Sequence, residues 1–131
     1  MGQQQLLLIV LGVIIVGIAV VVGINLFNAN AEESTKDGIV SDCTNLGAMA
    51  QQFYKKPTSM GGGGNSFTGG TGWTIPGDGV PGGLDSTAYG TYTRVNADQS
   101  VTITGTPHPE NGYDWTVETT VTPADITTVI Q

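Results

Sequence analysis

Hydrophobic and polar positions change their rhythm twice along this chain. From Leu6 to Ile24 every residue is apolar or glycine, and Leu26 and Phe27 extend the run past Asn25. About 20 apolar residues cross a bilayer as a helix. Backbone groups in an apolar surround must be satisfied within their own segment, so a single such run is helical despite its β-branched content. Beyond Phe27, apolar residues recur at Ile39, Cys43, Leu46, Met49 or Ala50, and Phe53. That spacing places one apolar stripe on a helix, with Asp37, Asp42, Asn45, Gln52 and Lys56 largely off it. Lys55 and Lys56 suit the negative end of the helix dipole, and Pro57 ends the element. Gly38 and Gly47 weaken the pattern by about 1 kcal/mol each. The pattern predicts one helix from about Gln4 to Lys56, roughly 80 Å long at the usual rise per residue.

From Tyr89 the period becomes two. YGTYTRV, the turn NADQ and SVTITG read as a hairpin. TPHPENG is a second turn, and YDWTVETTV comes next with Tyr113, Trp115, Val117 and Val121 on one face. Asp114, Thr116, Glu118 and Thr120 take the other, the mark of a half-buried antiparallel strand. ITTVI is a fourth candidate. A small sheet with one apolar face needs a cover. The stripe supplies it, with Ile39, Cys43, Leu46, Met49 and Phe53 against Trp115 and Val117. The expected fold is α+β: a long N-terminal α-helix with its C-terminal half packed on a small antiparallel β-sheet.

The segments divide as 1–27 (apolar helix), 28–56 (amphipathic continuation), 57–88 (connecting loop) and 89–131 (sheet domain). The loop is rich in glycine and proline, as a flexible linker would be. Phe67, Trp73, Ile75 and Val80 are nevertheless spaced like anchors laid on a core. Its GGGG lacks the Lys-Ser/Thr and the preceding strand that a phosphate cradle needs, and no cofactor is expected.

Composition narrows the function classes. The chain has 131 residues, and the part beyond the apolar run suffices for one small domain. Net charge is −7 with only 4 Lys and Arg, which disfavours nucleic acid and anionic lipid headgroups as partners. Cys43 is the only cysteine, so no intrachain disulfide forms, and on a helical stripe it reads as a small buried hydrophobe. His108 is the only histidine and sits between prolines. Catalytic chemistry needs partners converging on such a group, so no enzyme activity is expected. Asp78, Asp85, Asn96, Asp98, Glu110, Asn111 and Asp114 offer oxygen donors for calcium. They fall in turns, where Asp and Asn are favoured on backbone grounds, and no metal site is expected. No Asn-x-Ser/Thr acceptor is present. The run has no basic residue before it and is long for a secretory signal, so it is expected to be retained, although Ala29 and Ala31 form an Ala-x-Ala pattern behind it.

The plan as a whole, and MGQQQLLLIVLGVIIVGIAVVVGI most specifically, resembles a type IV pilin or a pilin-like relative. The resemblance covers the apolar helix, its amphipathic continuation, the glycine-rich loop and the terminal sheet, the "lollipop" of that family. It implies a structural subunit that waits in the cytoplasmic membrane and is packed by an ATP-driven machine into a surface filament serving adhesion, attachment or motility. The filament core would comprise Gln3, Gln4, Gln5, Leu6, Leu7, Leu8, Ile9, Val10, Leu11, Val13, Ile14, Ile15, Val16, Ile18, Val20, Val21, Ile24 and Phe27 of many copies. It also implies a prepilin peptidase, with Gly2 and Gln3 flanking the cut, and methylation of the new terminus. The chain departs from the family's pattern in four ways. Typical bacterial pilins hold a glutamate at the fifth mature position, where counting from Met1 gives neutral Gln5. The two residues ahead of Gln3 contain no basic group. The helix-breaking proline of the apolar half is missing, and so is the C-terminal disulfide loop. Two other readings share the pattern: a pseudopilin of a secretion system, and a single-pass membrane protein with an exported β domain.

Overall fold

The computed structural model describes residues 2–131. The chain forms two compact units, the first ending at Ser34 and the second comprising Thr35–Gln131. One helix, α1 (Gln3–Lys55, 53 residues), contributes to both.

In the second unit α1 packs on a four-stranded antiparallel sheet of order β1-β2-β3-β4, giving the expected α+β fold. The strands are β1 (Gly90–Asn96), β2 (Val101–Pro107), β3 (Val117–Val121) and β4 (Ile126–Ile130). Ile39, Cys43, Leu46, Gly47 and Ala50 are the buried residues of the helix. Between the alternatives Met49 and Ala50, the stripe takes Ala50, which is fully buried, while Met49 is 36% exposed. Each helical residue turns the side chain by about 100°, and Met49 lies roughly one such step off the centre of the stripe. Phe53 and Tyr54 flank the stripe, partly buried against the core.

The sheet answers with Tyr92, Val101, Ile103, Trp115, Val117, Thr119 and Val121. Gly105 of β2 lets the helix come close. A Cβ there would lie 2.6 Å from Ile39 Cγ2 and 3.1 Å from Cys43 Sγ. Gly47 does the same from the helix side, where a Cβ would lie 3.0 Å from Val121 Cγ2.

The expected strand over residues 113–121 is shorter in the structure. Alternation persists, but the β2–β3 ladder starts at Gly105↔Val117. Pro107 ends it, because odd-numbered residues of β2 turn their N–H groups toward β3 and proline has none. Trp115 is still buried, and Tyr113 stacks on it with ring centroids 5.7 Å apart.

The loop between helix and sheet is anchored. Phe67, Trp73 and Ile75 are buried in the core as their spacing predicts, whereas Val80 is 61% exposed and is no anchor. Val80 belongs to a turn in which its N–H donates to Gly77 O at 2.9 Å and its carbonyl accepts from Gly83 N at 3.0 Å, so the local backbone bonds set its place. Tyr54 and Phe67 rings meet at 4.9 Å, and Phe67 N–H donates to Asp98 O at 3.0 Å, tying the loop to the β1–β2 turn.

Replacing Gly105 by alanine forces Ile39 away from the sheet. A loss of about 1–3 kcal/mol is expected, as for other overpacked cores, read by denaturant unfolding of the detergent-solubilised chain. Gly12→Ala, with nothing within 4 Å of its Cβ position, is expected to lower stability not at all.

Candidate assembly surface

The first unit consists of helix whose side chains have no cover of their own. From Leu6 to Phe27 the large apolar residues are between 52% (Leu11) and 77% (Phe27) exposed. They face every direction around the axis, as an uninterrupted apolar run on a helix must. No charged residue occurs before Glu32. This helix is long and apolar enough to cross a membrane. At roughly 1.5–3 kcal/mol per aliphatic side chain, leaving the run in water would cost tens of kcal/mol. The surface therefore requires an apolar surround on all sides.

Gln3, Gln4 and Gln5 form the first turn of this helix and are exposed. Gln5 N–H donates to Gly2 O at 3.1 Å, and the first turn contains no acidic residue. The free N–H groups of a helix start need acceptors, and each glutamine amide offers one acceptor and two donors. Gly2, the candidate processing position, is exposed just ahead of the helix.

In the second unit the helix and sheet enclose a polar layer that the sequence pattern did not single out. Asp42 Oδ2 accepts from Tyr92 O–H at 2.6 Å and from Thr87 O–H at 2.9 Å. Asp42 flanks the stripe rather than lying behind it. His108 Nε2–H donates to Thr87 O at 2.8 Å. Burial above all, and the bond to Asp42 after it, hold the Tyr92 phenol well above its ordinary range. Burial likewise pushes the Cys43 thiol up to about 11, with the Thr119 hydroxyl opposing and the Asp42 charge adding. Thr119 is fully buried and shares a hydrogen bond with Thr128 Oγ1 at 3.1 Å. Its odd position between Val117 and Val121 was the signal that it faces inward. Beside this layer lies a groove of about 330 Å³, lined among others by Asp42, Asn45, Met49, Leu84 and Thr87.

Of the oxygen-donor candidates, Asn96 lies in β1 rather than in a turn, where its Nδ2–H donates to Trp73 O at 2.8 Å, while Asp85 and Asp98 hold loop segments. Asp85 Oδ2 accepts from Gly79 N–H at 3.1 Å. Asp98 accepts from the Ser66 hydroxyl, and that bond holds its carboxyl below the ordinary value. No group of three or more His, Cys, Asp or Glu among the described residues is placed to hold a metal ion.

No protein-family model matches the chain, and neither a curated protein nor a solved structure is found to be similar to it.

Cys43 is expected to react with a thiol reagent at pH 8 at least about 100-fold more slowly in the native chain than in denaturant, since the thiolate is the reactive form. The raised thiol is neutral in the folded state at pH values where the unfolded thiol, with its ordinary value near 9, already ionises. Its contribution to stability is complete below pH 9 and is lost as pH rises toward about 11. A pH series of unfolding midpoints, repeated with Cys43→Ala, checks that sign.

Proposed function

We propose that this chain is the structural subunit of an extracellular type IV pilus-like helical filament. The observation that carries the reading is α1. It is one helix that is apolar on every side up to Phe27 and then carries a single stripe docked on a sheet. A membrane anchor alone needs only the first part. A subunit that exchanges lipid for neighbouring helices needs the same apolar surface twice, first against the bilayer and then against other copies. Burial of that surface drives both states. Copies of the chain are thus its main partners, with the membrane before assembly and an assembly machine and processing peptidase acting on it. The sheet domain would form the exterior of the fibre, and its role there is attachment or movement rather than catalysis.

Shearing cells, imaging the released material and reading its N-terminal residue by mass spectrometry tests the proposal. Fibres built of this chain, starting at Met1 or Gln3, are expected. Recovery in the membrane fraction alone overturns the filament reading in favour of a single-pass anchor.

The glutamines supply the register in this reading. In a dry helix bundle each amide must find a partner or cost a few kcal/mol, and partners on neighbouring copies fix the axial offset between them. Changing Gln3, Gln4 and Gln5 together to leucine is expected to leave membrane insertion intact. It should cut the yield of ordered filaments about tenfold or more, the effect of losing two hydrogen bonds of about 1 kcal/mol each. Fibres of normal number and symmetry from this variant would sink the register role.

A further inference from the structure

The two edges of the sheet are built differently. At β1, the first part of the edge is closed by the chain's own loop. Tyr92 N–H donates to Asp85 O at 2.8 Å, and Thr87 N–H donates to Gly90 O at 2.9 Å, with Ser86 bridging Thr91. Arg94 comes next at an inward-facing position of the same strand. Covering loops and inward charges are the usual protections of a sheet edge.

At β4 those protections are missing. Thr116 and Gln131 exchange backbone bonds at 3.0 and 2.8 Å, and Thr122 N–H donates to Asp125 O at 2.8 Å. These bonds set the phase of the ladder. Residues 125, 127, 129 and 131 turn toward β3, while Ile126, Thr128 and Ile130 turn their N–H and C=O groups away from it. The Ile126 N–H is taken by its neighbour's carboxylate, Asp125 Oδ1, at 2.8 Å. The backbone groups of Thr128 and Ile130 have no outward partner among the described residues. From Ile126 to Gln131 there is no charged side chain, proline or glycine, and Val129 and Ile130 are 52% and 48% exposed.

The sequence of this edge is complementary to itself. Antiparallel pairing about Thr128 sets Ile126 opposite Ile130 of a second copy, and Thr127 opposite Val129. All three outward-facing residues then fall on hydrogen-bonded positions, where the Ile126 N–H exchanges Asp125 Oδ1 for a strand carbonyl, and the half-exposed Ile130 is covered by an aliphatic neighbour. The Asp125 carboxylate falls opposite the neutral Gln131 side chain, so no two charged side chains oppose each other in a chain of net charge −7. A slip of one residue brings outward groups against inward ones, and a slip of two loses paired positions. We propose that β4 is a docking strand for β4 of a second copy, joining two four-stranded sheets across a two-fold axis.

This inference stands on the sheet alone and goes beyond the filament reading. A two-fold contact is self-complementary, whereas successive copies in a helical fibre meet through unlike surfaces and point the same way. If fibres form, β4 pairing joins copies in oppositely directed fibres and bundles them.

The test uses full-length chains in detergent. Thr127→Cys and Val129→Cys chains are purified separately, then mixed and oxidised. Facing residues of a non-hydrogen-bonded antiparallel pair have Cα atoms about 4.5 Å apart, inside the range a disulfide spans. Like residues of the two copies lie beyond that range, and native Cys43 is fully buried. The mixture is expected to yield mostly a covalent dimer of twice the chain mass, and either variant alone less than about a tenth of that yield. Equal yields from the mixture and the separate variants overturn the pairing. Adding Ile130→Pro, which removes an outward N–H and the aliphatic side chain but no ladder bond to β3, is expected to lower the mixed yield about tenfold, with folding checked by the unfolding midpoint. An unchanged yield in that folded variant also overturns it. Fibres without the register-specific cross-link would reject the edge contact and leave the filament reading standing. The cross-link in detergent with no fibres on cells would do the reverse.

Discussion

The second unit depends on how near α1 can lie to β2. The helix presents the small residues Cys43, Gly47 and Ala50 alongside Ile39 and Leu46, and the sheet presents Gly105 beneath Ile39 and Cys43. Small residues on both surfaces let the larger ones interlock instead of standing on one another. Dispersion contacts fall off steeply with separation, so this approach sets the depth of the whole core. The loop aromatics then close one end of the contact, with Phe67 against Tyr54. At the other end Lys36 Nζ lies 5.2 Å from the Trp115 ring centre, where a cation is drawn to the ring face.

Polar groups drawn toward this core find partners on other elements. Thr119 does so through Thr128 and Cys43, and Asp42 through Tyr92 and Thr87. The Asp42 contacts run from helix to loop to strand, and His108 extends them to the turn after β2. A hydrogen bond of this kind adds little net stability, but leaving either partner alone in the interior costs more. The layer thus discriminates between one placement of the helix on the sheet and its near neighbours, which apolar contacts alone do weakly.

The apolar surface of the first unit obeys the same physics with its partners still outside the chain. Nothing in the first unit covers Leu6 through Phe27, and the same hydrophobic term that assembles the sheet domain must be met there by lipid or by other chains. The three glutamines concentrate hydrogen-bonding capacity at the tip of a surface that otherwise has no directional chemistry. Apolar contact sets how strongly such helices associate, and only directional groups set where along the axis they do so. The open β4 edge has a related character: backbone groups supply direction, and Ile130 and Val129 supply the surface worth burying.

The helix, its two regimes, the four strands and the α+β class were legible in the sequence, because periodicity is a local property of the chain. So was most of the contact, since Ile39, Cys43, Leu46, Trp115 and Val117 are buried as the stripe and alternation require. The misses have separate physical reasons. Met49 and Ala50 are adjacent, and the rotation of the helix against the sheet, with Met49 about one 100° step off the buried stripe, chose the smaller. Val80 is spaced as an anchor, but the bonds of its own turn hold it out. Residues 113–116 alternate like a strand, but the ladder stops where Pro107 has no N–H to offer. Thr119, Tyr92, Asp42 and Thr87 meet through a topology that joins residues far apart in the chain. The sequence by itself determined which segments are apolar on one face and which on all. Only the tertiary structure decided which polar groups face each other and which sheet edge stays open, because both depend on the register between elements rather than on the pattern within one.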